Sequence, residues 1–504
     1  MLLVDQPWQA NLGLRMAKTA KRINQDLDFS IVFTDYFTFF LRRDYLVGIK
    51  NAFDGEVWTQ EEIYRSWQTE TETPDVDRDF LTEWELHNCS DRTLAEIAHT
   101  NQWLYGNERD KYQRKISNAW KDRILYDSIN WCEMLINRIE PDYIVSIERC
   151  TLPTNLLYQI SLKRDIPFKT FIPARIDKRW LIRTDLSYGM SSELRDKIIR
   201  DYSDKDSLAL AEQFAQDLVL NRQGSYSSPS HRIVADSLEK KSAVLQNLRR
   251  ELRKFIGRVY GRIFIQPKER SIDSVRVLEN FVALSFVELK QILVTYAHHL
   301  GLRVWGRTSL PKEPYFFWAL HMRPEGSVLV LGDAREEVAE LIRTADLIPE
   351  GHKLVVKENP EMFGLREFAF YRRLKRHRKI ILMDPHFPTF EILRRSSGVI
   401  GISGTVLLEA AIFDKPSYAL GHPEFVGFIV GSGWNGQEIF FKNVLDNNFD
   451  SPKAKMLPYL AYVLKEGFEN SIPFEGDLQS LEAEQMIQNF AATIAKFSES
   501  ETVV

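Results

Sequence analysis

The sequence predicts an α/β protein of two Rossmann-like, doubly wound domains facing each other across a cleft, with a helical linker and C-terminal helices. Three observations predict it. Short apolar runs alternate with stretches of helical periodicity in both halves of the chain. Polar residues cluster just after those runs, at the edge where an open parallel sheet receives its ligands. The length of 504 residues also exceeds what a single core usually serves. We divide the chain into a first Rossmann-like domain over 1–235, a helical linker over 236–310, a second Rossmann-like domain over 311–450 and terminal helices over 451–504.

In the first half, "FSIVFTDYF" (29–37) reads as a buried strand and 91–139 as helical. "PDYIVSIERC" (141–150) is a strand with a polar end, and "LPTNLLYQISLKRDIPFKTFIPARI" gives a helix and then a strand. Between 203 and 264 the pattern is helical. Its last part, 240–264, is strongly basic with Leu245, Leu248, Leu252, Phe255, Ile256 and Val259 on one face. Such a helix fits an anionic membrane surface, or simply packs on the body of the protein.

The second half alternates more regularly. "YFFWALH", "SVLVLG", "HKLVVKENP", "KIILMDP" and "GVIGIS" read as strands, separated by helices such as "AREEVAELIRTADL", "REFAFYRRLKRH", "PTFEILRRS" and "TVLLEAAIF".

Composition narrows the function classes. With 66 basic and 70 acidic residues the net charge is −4, which gives no surplus for a general nucleic-acid binder. The three cysteines, Cys89, Cys132 and Cys150, lack metal-like spacing and fit free thiols in a reducing compartment. The start, "MLLVDQPWQANLGLRMAK", lacks a secretory core, and no window is apolar enough for a membrane span. A cytoplasmic protein is expected, with peripheral contact at the cytoplasmic face of the membrane or with a polysaccharide assembly complex left open by the basic helix.

The stretch "GVIGISGTVLLEAAIFDKPSYALGHPEF" carries the first candidate site. Ser403, Gly404 and Thr405 join a strand to a helix. The free N–H groups and the positive dipole end of that helix suit a phosphate. Ser403 or Thr405 capping the helix is the plain alternative. Glu409 follows one turn later in an apolar run, where a carboxylate needs a partner. A ribose diol would serve, and so would a buried Lys or Arg. Lys357, Asn359 and Pro360 end a second strand, and His321, Arg323 and Glu325 end a third.

These segments together resemble a known family. "ALHMRPEGS", "LIPEGHKLVVKENPEMFGLREFAFYRRL" and "ISGTVLLEAAIFDKPSYALGHPEF" are similar in order and spacing to the carboxyl-terminal half of the capsule and surface-polysaccharide biosynthesis proteins of the GT-B glycosyltransferases. The resemblance spans about 315–425. It departs at Arg323, where the family has Gln, and at Asn359, where it has the His of a Lys-Glu-His-Pro motif. Asn359 can donate a hydrogen bond but carries no charge.

The resemblance implies transfer of a sugar from a nucleotide-sugar donor to a glycan or lipid-linked glycan acceptor, without a bound metal or other cofactor. Lys357, Asn359, Pro360, Ser403, Gly404, Thr405 and Glu409 would hold the donor nucleotide. Glu148, after "YIVSI", is the first choice for the base on the acceptor, and Asp35, after "IVFT", the second. Arg175, Arg179 and Asp185 are candidates for sugar contacts. A nucleotide-sugar 2-epimerase, a polyol-phosphate transferase and a non-catalytic nucleotide-sugar-binding scaffold protein remain as alternatives.

Overall fold

The computed structural model describes residues 1–4, 7–34, 50–59, 118–147, 152–177, 179–183, 190–221, 241–260, 285–286, 289–290, 292–294, 296–297, 306–321, 337–359, 362, 366, 368–385, 387–469 and 481–496. The chain divides into two compact units. One holds Met1–Glu108, Ile116–Tyr188 and Tyr462–Val504; the other holds Arg109–Lys115 and Gly189–Ala461.

The first unit begins with β1 (Leu2–Val4), α1 (Pro7–Ile23), β2 (Ser30–Phe33) and β3 (Glu56–Thr59). It continues with α2 (Asn118–Ile139), β4 (Ile144–Ile147), α3 (Leu152–Lys163), β5 (Phe168–Pro173) and β6 (Arg179–Arg183). β1 sits between β2 and β4 and runs parallel to both, with β3 and β5 extending the parallel ladder outward. The apolar runs become strands because both faces are covered, so no polar alternation is needed.

Beyond β5 the sheet departs from the parallel pattern, since β6 pairs with it antiparallel. The reason is the short connection at 174–178. A parallel crossover needs a dozen residues or more, whereas a hairpin needs only a few. Ala174 N–H donates to the Arg179 carbonyl at 2.8 Å, and both Arg175 and Asp177 take the left-handed conformation, with φ of 59° and 43°.

The second unit follows with α4 (Ser192–Tyr202), α5 (Lys205–Asn221), α6 (Lys241–Tyr260), β7 (Tyr315–Ala319), α7 (Glu337–Leu347), β8 (Lys353–Lys357), α8 (Phe368–Lys375), β9 (Ile380–Met383) and α9 (Thr389–Arg395). It closes with β10 (Gly398–Gly401), α10 (Thr405–Ile412), β11 (Ser417–Ala419), β12 (Gly431–Ser432) and α11 (Gln437–Leu445), and α12 (Pro452–Glu466) begins in this unit and carries the chain past its last residue, Ala461. The six strands lie in the order β12-β11-β10-β7-β8-β9, all parallel. The chain moves from β7 outward through β8 and β9, then returns to place β10 on the other side of β7. The strand order therefore reverses between β7 and β10, which makes their carboxyl ends the switch point of the sheet. Both units are thus Rossmann-like α/β structures.

The chain then returns to the first sheet. β13 (Phe468–Glu469) pairs antiparallel with β6, and α13 (Leu481–Ala495) packs on α1. Ile487, Phe490, Ala491 and Ile494 meet Leu12, Met16, Ala17 and Ala20 in one core, each set spaced to share a helix face. Phe490 stands edge-on to Phe171, with ring centres 4.4 Å apart, and to Trp180 at 6.3 Å.

Among the described residues no helix is long and apolar enough to cross a membrane. α6 forms as its periodicity predicts and exposes Ile256 and Tyr260.

The docking of α13 is checked by Phe490→Ala. The lost ring contacts and the cavity should cost about 3–5 kcal/mol, read as a lower urea midpoint of the first unit.

Candidate functional site

The switch point of the second sheet brings together the exits of β7 and β10. β7 is apolar through Ala319, and the chain then gives Leu320 and His321 as it leaves the sheet. Leu320 N–H donates to the Lys357 carbonyl at 2.8 Å, which extends the ladder with β8 by one residue and fixes where His321 emerges. From β10 the chain gives Ile402, Ser403 and Gly404 before α10 opens at Thr405. Ser403 N–H points to His321 Nε2 at 3.4 Å.

Gly404, and neither Ser403 nor Thr405, is the N-cap residue of α10, and a glycine has no side chain with which to cap the helix. The first N–H groups of a helix lack partners within it, so this end keeps its donors and its positive dipole. Gly404 has an ordinary φ of −70°. The glycine serves close approach instead, because a Cβ there would lie 3.0 Å from His321 Nε2.

Behind His321 lies a buried ionic network. Arg366 donates from Nε to Glu358 Oε2 at 2.8 Å, from Nη1 to Glu337 Oε2 at 3.0 Å and from Nη2 to the His321 carbonyl. Glu337, in the first turn of α7, accepts His321 N–H at 3.2 Å on its other oxygen. Glu358 also accepts the Tyr371 hydroxyl at 2.6 Å and Asn359 N–H at 2.8 Å. All of these side chains except that of Asn359 are buried.

Burial alone would lower the Arg366 pKa, but the Glu358 and Glu337 carboxylates outweigh it and raise it. Burial pushes the Glu358 carboxyl up, against the pull of Arg366 and the Tyr371 hydroxyl. The same burial, reinforced by Glu358, raises the Tyr371 phenol.

Lys357, the last residue of β8, is buried and donates from Nζ to Thr389 Oγ1 at 2.9 Å, at the start of α9. Burial lowers its pKa to about 8, against the opposing charges of Asp384, Glu358 and Glu409. Glu409 is itself buried, so the carboxylate in the apolar helix has a lysine charge in reach. This is the structural role the sequence left open beside the ribose diol.

The structure therefore gathers His321, Ser403, Gly404 and Thr405 at one point, with Lys357, Asn359 and Glu409 at the neighbouring strand exit and helix. Sequence reasoning did not single out Glu337, Arg366, Asp384 or Tyr371. Arg323, Glu325 and Pro360 lie outside the described residues, as do Glu148, Asp35 and Asp185 of the first unit. Arg175 sits in the β5–β6 hairpin. Arg179 donates to the Gly467 carbonyl at 2.9 Å and so ties the returning chain to the first sheet.

No family model matches the sequence, and no curated protein matches it. Solved structures give distant likenesses. The Thermosulfurimonas dismutans KpsC, a beta Kdo 2,4 transferase, is 11% identical over 63% of this chain and 86% of its own, at a TM-score of 0.33. The UDP-GlcNAc 2-epimerase from Neisseria meningitidis bound to UDP-GlcNAc is 10% identical over 99% and 98%, at 0.26. The Methanocaldococcus jannaschii UDP-GlcNAc 2-epimerase in complex with UDP-GlcNAc and UDP is 11% identical over 92% and 99%, at 0.25. At TM-scores this low the likenesses carry no argument, and the site rests on its own residues.

Removing the guanidinium strands two buried carboxylates. Arg366→Met should cost about 3–5 kcal/mol at neutral pH, read as a fall in the urea midpoint of the second unit. In the variant Glu337 and Glu358 have folded pKa values above their unfolded ones. The loss is then largest above those folded values and shrinks as the pH falls through them towards the unfolded range. A penalty that stays constant down to pH 4 would rule this account out.

Proposed function

We propose that the chain is a nucleotide-sugar enzyme of the glycosyltransferase kind, with the donor phosphate bound at the 403–405 turn. The observation that carries this reading is the coincidence of the β7–β10 switch point with a helix start whose N-cap is a glycine and a buried lysine one strand away. The resemblance of 315–425 to surface-polysaccharide transferases supports the same reading from the sequence.

In this mechanism the bond between the sugar and the phosphate breaks, and negative charge grows on the leaving phosphate. The N–H groups at the start of α10 and the Lys357 ammonium meet that charge as it develops, so they favour the transition state over the bound donor. Glu409 receives the ribose hydroxyls, exchanging part of its interaction with Lys357 for two donors. No metal is called for in this scheme. Glu148, or else Asp35, takes the proton from the acceptor hydroxyl. The acceptor is a glycan or lipid-linked glycan, and the basic face of α6 is the proposed contact with an anionic membrane.

The same turn followed by Glu409 fits a second reading, a nucleotide-sugar 2-epimerase that needs no acceptor. Incubating the protein with nucleotide sugars alone separates the two. Isomerised sugar or free nucleotide formed without acceptor favours the epimerase, and turnover that depends on an added glycan favours the transferase.

Calorimetry with CMP, CDP, UDP and GDP tests the site itself. One nucleotide should bind selectively, and Glu409→Ala should weaken it roughly 10- to 100-fold, the worth of hydrogen bonds to a charged group. Uniform silence across the four nucleotides would remove the reading. The affinity should also fall as the pH rises through about 8, because Lys357 is charged below that value and neutral above it. An affinity that is flat between pH 7 and 9 would take Lys357 out of the phosphate site.

A further inference from the structure

Charged side chains are buried close together around the switch point. Arg366 is one positive charge set between two carboxylates, Glu337 and Glu358. Lys357, the next cation, stands among Asp384, Glu358 and Glu409. Glu337 Oε1 stands 3.5 Å from the His321 ring nitrogen on the side away from the 403–405 turn. An anion added at the turn would place a second negative charge across the ring from that carboxylate, a setting that favours a positive charge between them.

Three groups of the inner network can take up a proton, the Glu337 and Glu358 carboxyls and the His321 imidazole. Glu337 receives donors on both oxygens, from His321 N–H on one and from Arg366 on the other. Glu358 already receives donors on both oxygens, from Asn359 N–H on one and from Arg366 and Tyr371 on the other. His321 is different. It is about 94% buried and its Nδ1 has no hydrogen-bond partner, although Glu337 Oε1 stands 3.5 Å away. Its Nε2 faces the Ser403 N–H, which only an unprotonated nitrogen can accept. A proton on Nε2 would set donor against donor. An Nε2 that accepts this N–H carries no hydrogen of its own, which leaves the ring hydrogen on Nδ1, towards Glu337.

We propose that His321 takes up one proton when an anion binds at the 403–405 turn, so that nucleotide binding is proton-linked. This rests on the reading of the turn as the donor-phosphate site. An anion oxygen arriving there accepts the Ser403 N–H, which leaves Nε2 without its donor. A proton from solvent then binds Nε2, and the new N–H points to the same anion. The resulting imidazolium closes its Nδ1–H onto Glu337 Oε1. Arg366 and Glu337 are positioning residues in this scheme. Arg366 holds the His321 carbonyl, while Glu337 holds the His321 N–H and faces its ring. Among the described residues, the charged groups that meet His321 are Glu337 from α7, at its Nδ1, and Arg366 from the segment before α8, at its carbonyl; Glu358 pairs with Arg366, and Lys357 at the end of β8 interacts with Asp384, Glu358 and Glu409.

The test is titration calorimetry of the full chain at pH 7.0 with CMP, CDP, UDP and GDP, in buffers of different ionisation enthalpy. At this pH Lys357 is already mostly charged and adds little to the proton count. The binding nucleotide should take up a substantial fraction of a proton per site, and His321→Gln should abolish that uptake and weaken binding severalfold. Nitrogen NMR of the histidine-labelled wild type is a second measurement that needs no variant. Adding the same nucleotide should move the His321 Nε2 signal from its unprotonated to its protonated range. Binding without proton uptake, uptake that survives in His321→Gln, or an Nε2 signal that stays unprotonated would overturn the inference and leave the nucleotide reading standing. If none of the four nucleotides binds, both fall together.

Discussion

The guanidinium of Arg366 sets the frame for everything at the edge of the second sheet. Each of its three nitrogens is committed to a different place: the end of β8 through Glu358, the first turn of α7 through Glu337, and the end of β7 through the His321 carbonyl. A lysine could satisfy one of these at a time, whereas the planar fork meets all three in fixed directions. His321 is thereby held at its carbonyl by Arg366 and at its N–H by Glu337. The imidazole is oriented before any ligand reaches the turn. The network stabilises the fold little in net terms, since taking three charges out of water offsets most of their attraction. What it provides is position.

The magnitudes explain why a helix start with a glycine N-cap does not by itself make this an anion site. A helix end is worth about 0.3–2 kcal/mol to a nearby charge. A single carboxylate about 4 Å away, at an effective dielectric near 20, opposes an anion by roughly 4 kcal/mol. Buried carboxylates close to the turn would therefore decide the outcome if they acted alone. Their influence is cut by Arg366, which neutralises its two neighbours in part, and by Lys357. The site is governed by the protonation of its cations more than by backbone donors, and the lowered pKa of Lys357 places one of those cations within reach of ordinary pH changes.

The sequence made most of this architecture readable where burial is uniform. β7, β8, β9 and β10 are nearly continuous apolar runs because helices cover both faces of a parallel sheet, and the runs stop where the polar exits begin. The Ser-Gly-Thr turn was legible for the same reason. The antiparallel edge was harder to read, because β6 takes its direction from a short hairpin and β13 from a segment nearly 290 residues later. Arg366, Glu337 and Tyr371 were not legible at all. Each lies in a charged or mixed stretch, "GLREFAFYRR" or "AREEVAEL", which looks like a solvated helix. They are buried only because β7, α7, β8 and α8 converge at the switch point, and no local pattern encodes that convergence. In the fold the Arg366 guanidinium also lies 4.7 Å over the Phe370 ring, a contact that appears only once that convergence is made.

The departure at Asn359 takes on a different meaning in this light. The resemblance places a histidine at that position, one strand away from the switch point. Here the backbone N–H of Asn359 serves Glu358, and the residue is only half-buried. The imidazole facing the turn comes from His321 at the switch point itself, with a carboxylate at its Nδ1 and a backbone donor at its Nε2. A neutral amide at 359 therefore leaves the edge of the sheet with a titratable ring, better buried and set against the helix start. Gly404 is the counterpart of that arrangement, since any larger residue would push the ring away from Ser403. His321, Gly404 and Glu337 form one geometric unit, and the amide at 359 is no argument against the proposed nucleotide site.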